Sequence, residues 1–134
     1  MPLLDLWAQS PDQLRDKHIQ QLIAFAGAGR LLDDSPCSAE FRSFLATVPS
    51  ANLSAYSEQC LSQSFPDSGL ALQDLVNEIG ARVGASVTHG RYRGSAKHSG
   101  LDGVWAFPSA HSIVVEVKTT DTYRALHQNL YAPL

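Results

Sequence analysis

The chain lacks several things that would have narrowed its role early. No apolar run approaches the roughly 20 residues that a membrane-spanning helix needs, and the N-terminus has no basic-then-apolar leader, so a cytoplasmic protein that does not enter a membrane is expected. Cysteine is scarce: Cys37 and Cys60 have neither C-x-x-C spacing nor paired histidines nearby, which argues for reduced, partly buried thiols rather than a disulfide frame or a zinc site. His89, His98 and His111 also lack zinc-like spacing. There is no excess of positive charge. The net charge is −3 and the pI about 5.9, which argues against a generally basic nucleic-acid coat protein but leaves local patches open. There is no internal repeat and no low-complexity tract. What remains, 134 residues with 44% hydrophobic and 17% charged side chains, suits a globular fold with a real core.

The first 66 residues read as a helical section. Ser10-Pro11-Asp12-Gln13 is a helix start, with Ser as N-cap, Pro in the first turn and Gln at the capping-box position. One helix is expected from there through Leu14, Ile19, Leu22, Ile23 and Phe25 to the exit at Gly27-Ala28-Gly29. A second helix is expected over about Ser38 to Thr47, with Phe41, Phe44 and Leu45 inward. A third is expected over about Ala51 to Gln63, with Leu53, Tyr56, Cys60 and Leu61 inward. Phe65 to Gly69 is a break. A fourth helix, Leu70 to Val83, carries Leu72, Leu75, Val76, Ile79 and Val83 at helical spacing. Gly80 signals close approach to a neighbour and Gly84 closes the helix. Ala85 to Tyr92 reads as a strand.

Two short apolar runs follow, Leu101 to Phe107 and Ser112 to Val117, separated by turn residues, so a β-hairpin is expected. Asp102 interrupts the first run; Glu116 and Lys118 interrupt the end of the second and share a face. With a loop of three residues (Pro108 to Ala110) or five (Phe107 to His111), Asp102 stands opposite Glu116. Leu101, Trp105 and Phe107 then fall on the face of Ile113, Val115 and Val117. A four-residue loop would move Asp102 to the apolar face, so the pattern favours facing carboxylates, barring a bulge at Gly103. Two carboxylates, with the Val117 carbonyl and a lysine beside them, suit a hard cation such as Mg²⁺, or Mn²⁺ in its place.

Asp102, with Glu116-Val117-Lys118 at the end of the next strand, resembles the PD-(D/E)xK nuclease superfamily, whose fold is restriction-endonuclease-like. The likeness covers about residues 68 to 124, and Leu101 stands where the family carries a proline. It implies an α/β (α+β) chain: a helical section, 1–66, followed by a nuclease-like core, 67–134, made of a helix and a mixed sheet with a central hairpin. It also implies a Mg²⁺-dependent nuclease acting on DNA, with Asp102, Glu116 and Lys118 catalytic. In some members an acidic residue of the first core helix joins the metal site; Glu78 is the candidate here, a solvated surface Glu being the plain alternative. The basic concentration in residues 89–98, with Arg91, Arg93, Lys97 and His98, together with Thr119 beyond the lysine, is the expected phosphate contact; a solvated loop is the other reading. The resembled fold continues with a helix and a strand after the lysine. Here only one short helix, about Asp121 to Leu130, fits before Leu134, so the core is expected to be C-terminally incomplete, with an exposed sheet edge open to homodimerisation. An inactive nuclease-like domain that binds DNA or a protein partner is the competing function. A purely structural ion-pair network is a third.

Overall fold

The computed structural model describes residues 1–92 and 101–119. Among these are six helices followed by three strands, a mixed α+β chain. Helix α1 (Pro2–Gln9) opens on Pro2, whose fixed φ suits the first helical turn, and buries Leu3. The single helix expected from Pro11 onward is two: α2 (Pro11–Arg15) and α3 (Ile19–Phe25). Ser10 makes no side-chain cap. The capping box sits instead at His18, whose backbone is extended (φ −64°, ψ 145°). His18 Nδ1 accepts the Gln20 N–H at 3.0 Å, and Gln21 Oε1 accepts the His18 N–H at 3.1 Å. The break frees the Ile19 N–H for Gln59 Oε1 at 2.8 Å and lets Leu14, Ile19 and Leu22 all enter the core.

Helix α4 (Pro36–Thr47) begins at a Ser35 cap and buries Phe41, Phe44 and Leu45 as expected. Helix α5 (Ser50–Ser62) buries Leu53, Tyr56 and Cys60, but Leu61 lies one residue round the helix and is 54% exposed. Helix α6 (Ser68–Arg82) ends at Gly84, where φ is +102°. One apolar cluster runs from Leu3 on α1 to Leu75 on α6, so the helical section and the helix beneath the sheet share a core. Both cysteines are free and buried within it. A buried acid, Glu40, ties this core together: its two carboxylate oxygens accept the N–H groups of Leu4 (2.9 Å) and Gly27 (2.8 Å).

The strands β1 (Ser86–His89), β2 (Gly103–Ala106) and β3 (Ser112–Val115) form an antiparallel sheet in that order. The mixed sheet expected from sequence therefore has no parallel member among the described residues. In the hairpin, Gly103 faces Val115 and Trp105 faces Ile113. The Phe107 N–H donates to the His111 carbonyl at 2.9 Å, and Ala110 takes φ +68°, which makes Pro108 to Ala110 the three-residue loop of the expected register.

The sheet lies on α6 through its odd-numbered face. A Cβ on Gly80 would come within 2.4 Å of the Trp105 indole, which explains the glycine. The inward stripe expected on α6 holds only in part. Leu72 and Leu75 are buried, whereas Ile79 is 40% and Val83 62% exposed. The helix has two buried faces: an apolar one toward the helices, and a polar one (Gln73, Asp74, Asn77) toward the strands.

Candidate functional site

The site is built at the end of the sheet where β2 begins and β3 ends. The Asp102 N–H donates to the Val115 carbonyl at 3.0 Å, although Val115 is the pairing partner of Gly103. Two residues of one strand thus bear on one residue of the other, the mark of a β-bulge, a device that re-aims a side chain. The Asp102 carboxylate turns back onto the hairpin and accepts the Val117 N–H on Oδ2 at 2.5 Å. The Asp102 carbonyl accepts from three donors: Gly90 N–H at 2.9 Å, Asn77 Nδ2 at 3.0 Å and Gln73 Nε2 at 3.2 Å.

Glu116 and Lys118 follow immediately along the chain and stand in water. Lys118 Nζ lies 3.0 Å from Glu116 Oε1, with the side chains 56% and 62% exposed. The bond to Glu116 and its negative charge raise the Lys118 pKa, and the Asp102 charge adds to the effect. Lys118 is thus paired with Glu116 and feels the charge of Asp102, while the bulge ties Asp102 to Val115 and Val117 in place of the direct opposition to Glu116 expected from sequence.

The other sequence-predicted residues are distributed differently. Glu78 is not brought to this cluster. It pairs with Arg82 at 2.8 Å, and Arg82 in turn is bound to the Leu45 and Val48 carbonyls at the α4–α5 junction. Glu78 is thus a partner in an interhelix tie and not the solvated surface glutamate of the alternative reading. Arg91 does lie beside the site but is engaged, pairing with Asp34 at 3.2 Å and Asp33 at 3.7 Å. Thr119 sits over the first turn of α6, its methyl 3.9 Å from where a Cβ on Gly69 would be. Arg93, Lys97, His98 and the expected helix over 121–130 lie outside the described residues. A cavity of about 190 Å³, bordered by Thr88, His89, Gly90, Arg91, Leu101 and Val104, opens next to Asp102.

Sequence reasoning missed the buried polar layer that carries these strands. Asp74, 1% exposed, holds Arg42 of α4 at 3.0 Å and the Tyr92 hydroxyl at 2.5 Å, and His89 Nδ1 stands 3.8 Å away. The Arg42 guanidinium also lies over the Tyr92 ring, 5.1 Å from its centre. Burial pushes the Asp74 carboxyl up to about 6, outweighing Arg42 and Tyr92, which favour its charge. Burial, helped by the Arg42 charge, lowers His89 to about 4. Burial first, then Asp74, raises Tyr92. The sequence carried one trace of this layer: Gln73, Asp74 and Asn77 fall on one side of a helix whose next turn has the close-approach Gly80.

Among the described residues, no group of three or more His, Cys, Asp or Glu side chains is placed to hold a metal ion. Two carboxylates with a backbone carbonyl still fit Mg²⁺, which commonly takes one or two protein carboxylates and completes its shell with water and phosphate. Among those residues no helix is long and apolar enough to cross a membrane. Comparison of the chain with family models, curated proteins and solved structures gives no match.

Proposed function

We propose that the chain is a Mg²⁺-dependent nuclease, acting in the cytoplasm on the phosphodiester bonds of DNA, with a restriction-endonuclease-like core of α6 and the sheet. The observation that carries this reading is the bulged hairpin. It sets Asp102 against Val117, between the Glu116 and Lys118 positions that the resemblance names. Asp102, whose Oδ1 is free of the Val117 bond, would hold the cation together with Glu116 and the Val117 carbonyl. Mg²⁺ or Mn²⁺ there would offset the charge that develops on the phosphate. Lys118, its pKa raised, remains an ammonium at neutral pH. It can therefore donate hydrogen bonds to the attacking water or a phosphate oxygen but cannot take a proton as a base. Arg91 would meet a phosphate at the rim, in competition with Asp33 and Asp34, with which it pairs.

That competition, and the direct Glu116–Lys118 pair, favour the second reading: a nuclease-like domain that binds DNA or a protein without cleaving. Incubation of supercoiled plasmid with Mg²⁺ or with EDTA separates the two. The nuclease reading expects Mg²⁺-dependent nicking that Asp102→Asn and Lys118→Ala abolish. Equal nicking by all three proteins, or none by the wild type, contradicts it.

A further inference from the structure

A strand residue needs one donor and one acceptor from its neighbours, yet among the described residues Asp102 makes five hydrogen bonds, through its N–H, its carbonyl and its carboxylate. Two of these come from carboxamides almost wholly removed from water, Gln73 at 3% and Asn77 at 1% exposure. Asn77 is the more constrained. Its Oδ1 accepts the Trp105 indole N–H at 3.0 Å, and an indole nitrogen can only donate. The orientation of the amide is thereby fixed, and Nδ2 must face the Asp102 carbonyl. The approach also demands Gly103, because a Cβ there would lie 2.2 Å from Asn77 Oδ1. Gln73 Nε2 is shared between the Gly90 and Asp102 carbonyls at 3.2 Å each and is the looser member.

Packing alone does not call for this arrangement: a regular strand would need neither the bulge nor the glycine. What the arrangement does achieve is to fix one carboxylate while Glu116 and Lys118 are left in solvent. A site in which one ligand is held and the other is free gets its geometry from whatever holds the first.

The geometry points to Asn77 as a positioning residue: its carboxamide, seated between Trp105 and the Asp102 carbonyl, locks the bulge and so aims the Asp102 carboxylate for cation binding. This rests on the reading of Asp102 as a cation ligand. Gln73 supports the same carbonyl more weakly. Asn77 touches neither cation nor phosphate and acts through Asp102.

Two measurements on the full chain test it, with Mn²⁺ alone as the probe. Exchange of the Val117 amide hydrogen reports the Val117–Asp102 bond without any metal, and calorimetric titration reports Mn²⁺ affinity. Asn77→Leu should speed Val117 exchange tenfold or more relative to amides of α4 and α5, and weaken Mn²⁺ binding by roughly tenfold, the usual scale for losing an outer support of a metal ligand. Gln73→Met, which leaves Trp105 untouched, should move both readouts in the same direction by less, and stands in if Asn77→Leu does not fold. Unchanged Val117 exchange in folded variants overturns the proposal, as does faster exchange with unchanged Mn²⁺ affinity, which would make Asn77 a packing residue only. If the wild type takes up no Mn²⁺, the cation reading of Asp102 fails, and Val117 exchange alone decides whether Asn77 aims the carboxylate.

Discussion

Replacing Gly80 with alanine sets two effects of opposite sign against each other. In an exposed helix interior the change would stabilise by about 0.5–1 kcal/mol, because glycine loses more backbone freedom on folding. At Gly80, however, the new Cβ would stand 2.4, 2.6 and 2.8 Å from Cε2, Cδ2 and Cζ2 of Trp105, well inside contact distance. The indole cannot simply swing aside, since its N–H is bonded to Asn77 Oδ1. Overpacking of this kind costs about 1–3 kcal/mol, and losing the indole hydrogen bond about 1 kcal/mol more. The clash should therefore win, leaving Gly80→Ala less stable by about 1–3 kcal/mol, a fall in Tm of roughly 4–10 °C for a chain of this size. Urea or thermal unfolding measures it. A variant as stable as the wild type, or more so, would refute the packing of the sheet on α6 that positions Asn77 and Asp102.

Glu40→Ala removes the acceptor of two backbone N–H groups inside the core and should cost about 2–4 kcal/mol in urea unfolding, with Glu40→Gln costing less because one oxygen remains. The Asp74–His89 pair makes a pH prediction. The folded-state value of Asp74, about 6, lies above its ordinary 3.8, so its contribution to stability grows as pH falls from 6 to 4. His89, lowered from 6.5 to about 4, does the reverse, because the unfolded chain takes up the proton first. The two oppose each other in one window. His89→Asn should therefore gain stability relative to wild type as pH falls from 6.5 to 4.5, read as the difference in urea midpoints; a difference that stays flat with pH would contradict the assignment.

The hairpin was the most legible part of the chain. Alternation of Trp105, Ile113 and Val115 against Asp102, Val114 and Glu116 allows few registers, and turn residues at Pro108 to Ala110 select among them. Gly80 and Gly84 were legible because each answers one local demand, close approach and positive φ. The break at His18 was not, because a histidine N-cap competes with an apolar period that runs straight across it. The polar face of α6 was hidden for a deeper reason. A stripe rule takes buried to mean apolar, whereas Gln73, Asp74 and Asn77 are buried by satisfying hydrogen bonds to residues that come later in the sequence. That Asp102 and the Glu116–Lys118 pair meet at one end of the hairpin followed from the register. A bulge at Gly103 was left open by the pattern, but the donors that meet the Asp102 carbonyl there, Asn77 and Gln73 of α6, were not legible from it.

Calorimetric titration of the wild-type chain with Mg²⁺ or Mn²⁺, beside Asp102→Ala and Glu116→Ala, tests most directly whether the two carboxylates serve one cation. Saturable uptake that either substitution weakens at least tenfold is the expected result; no uptake by the wild type, or uptake indifferent to both substitutions, would contradict it.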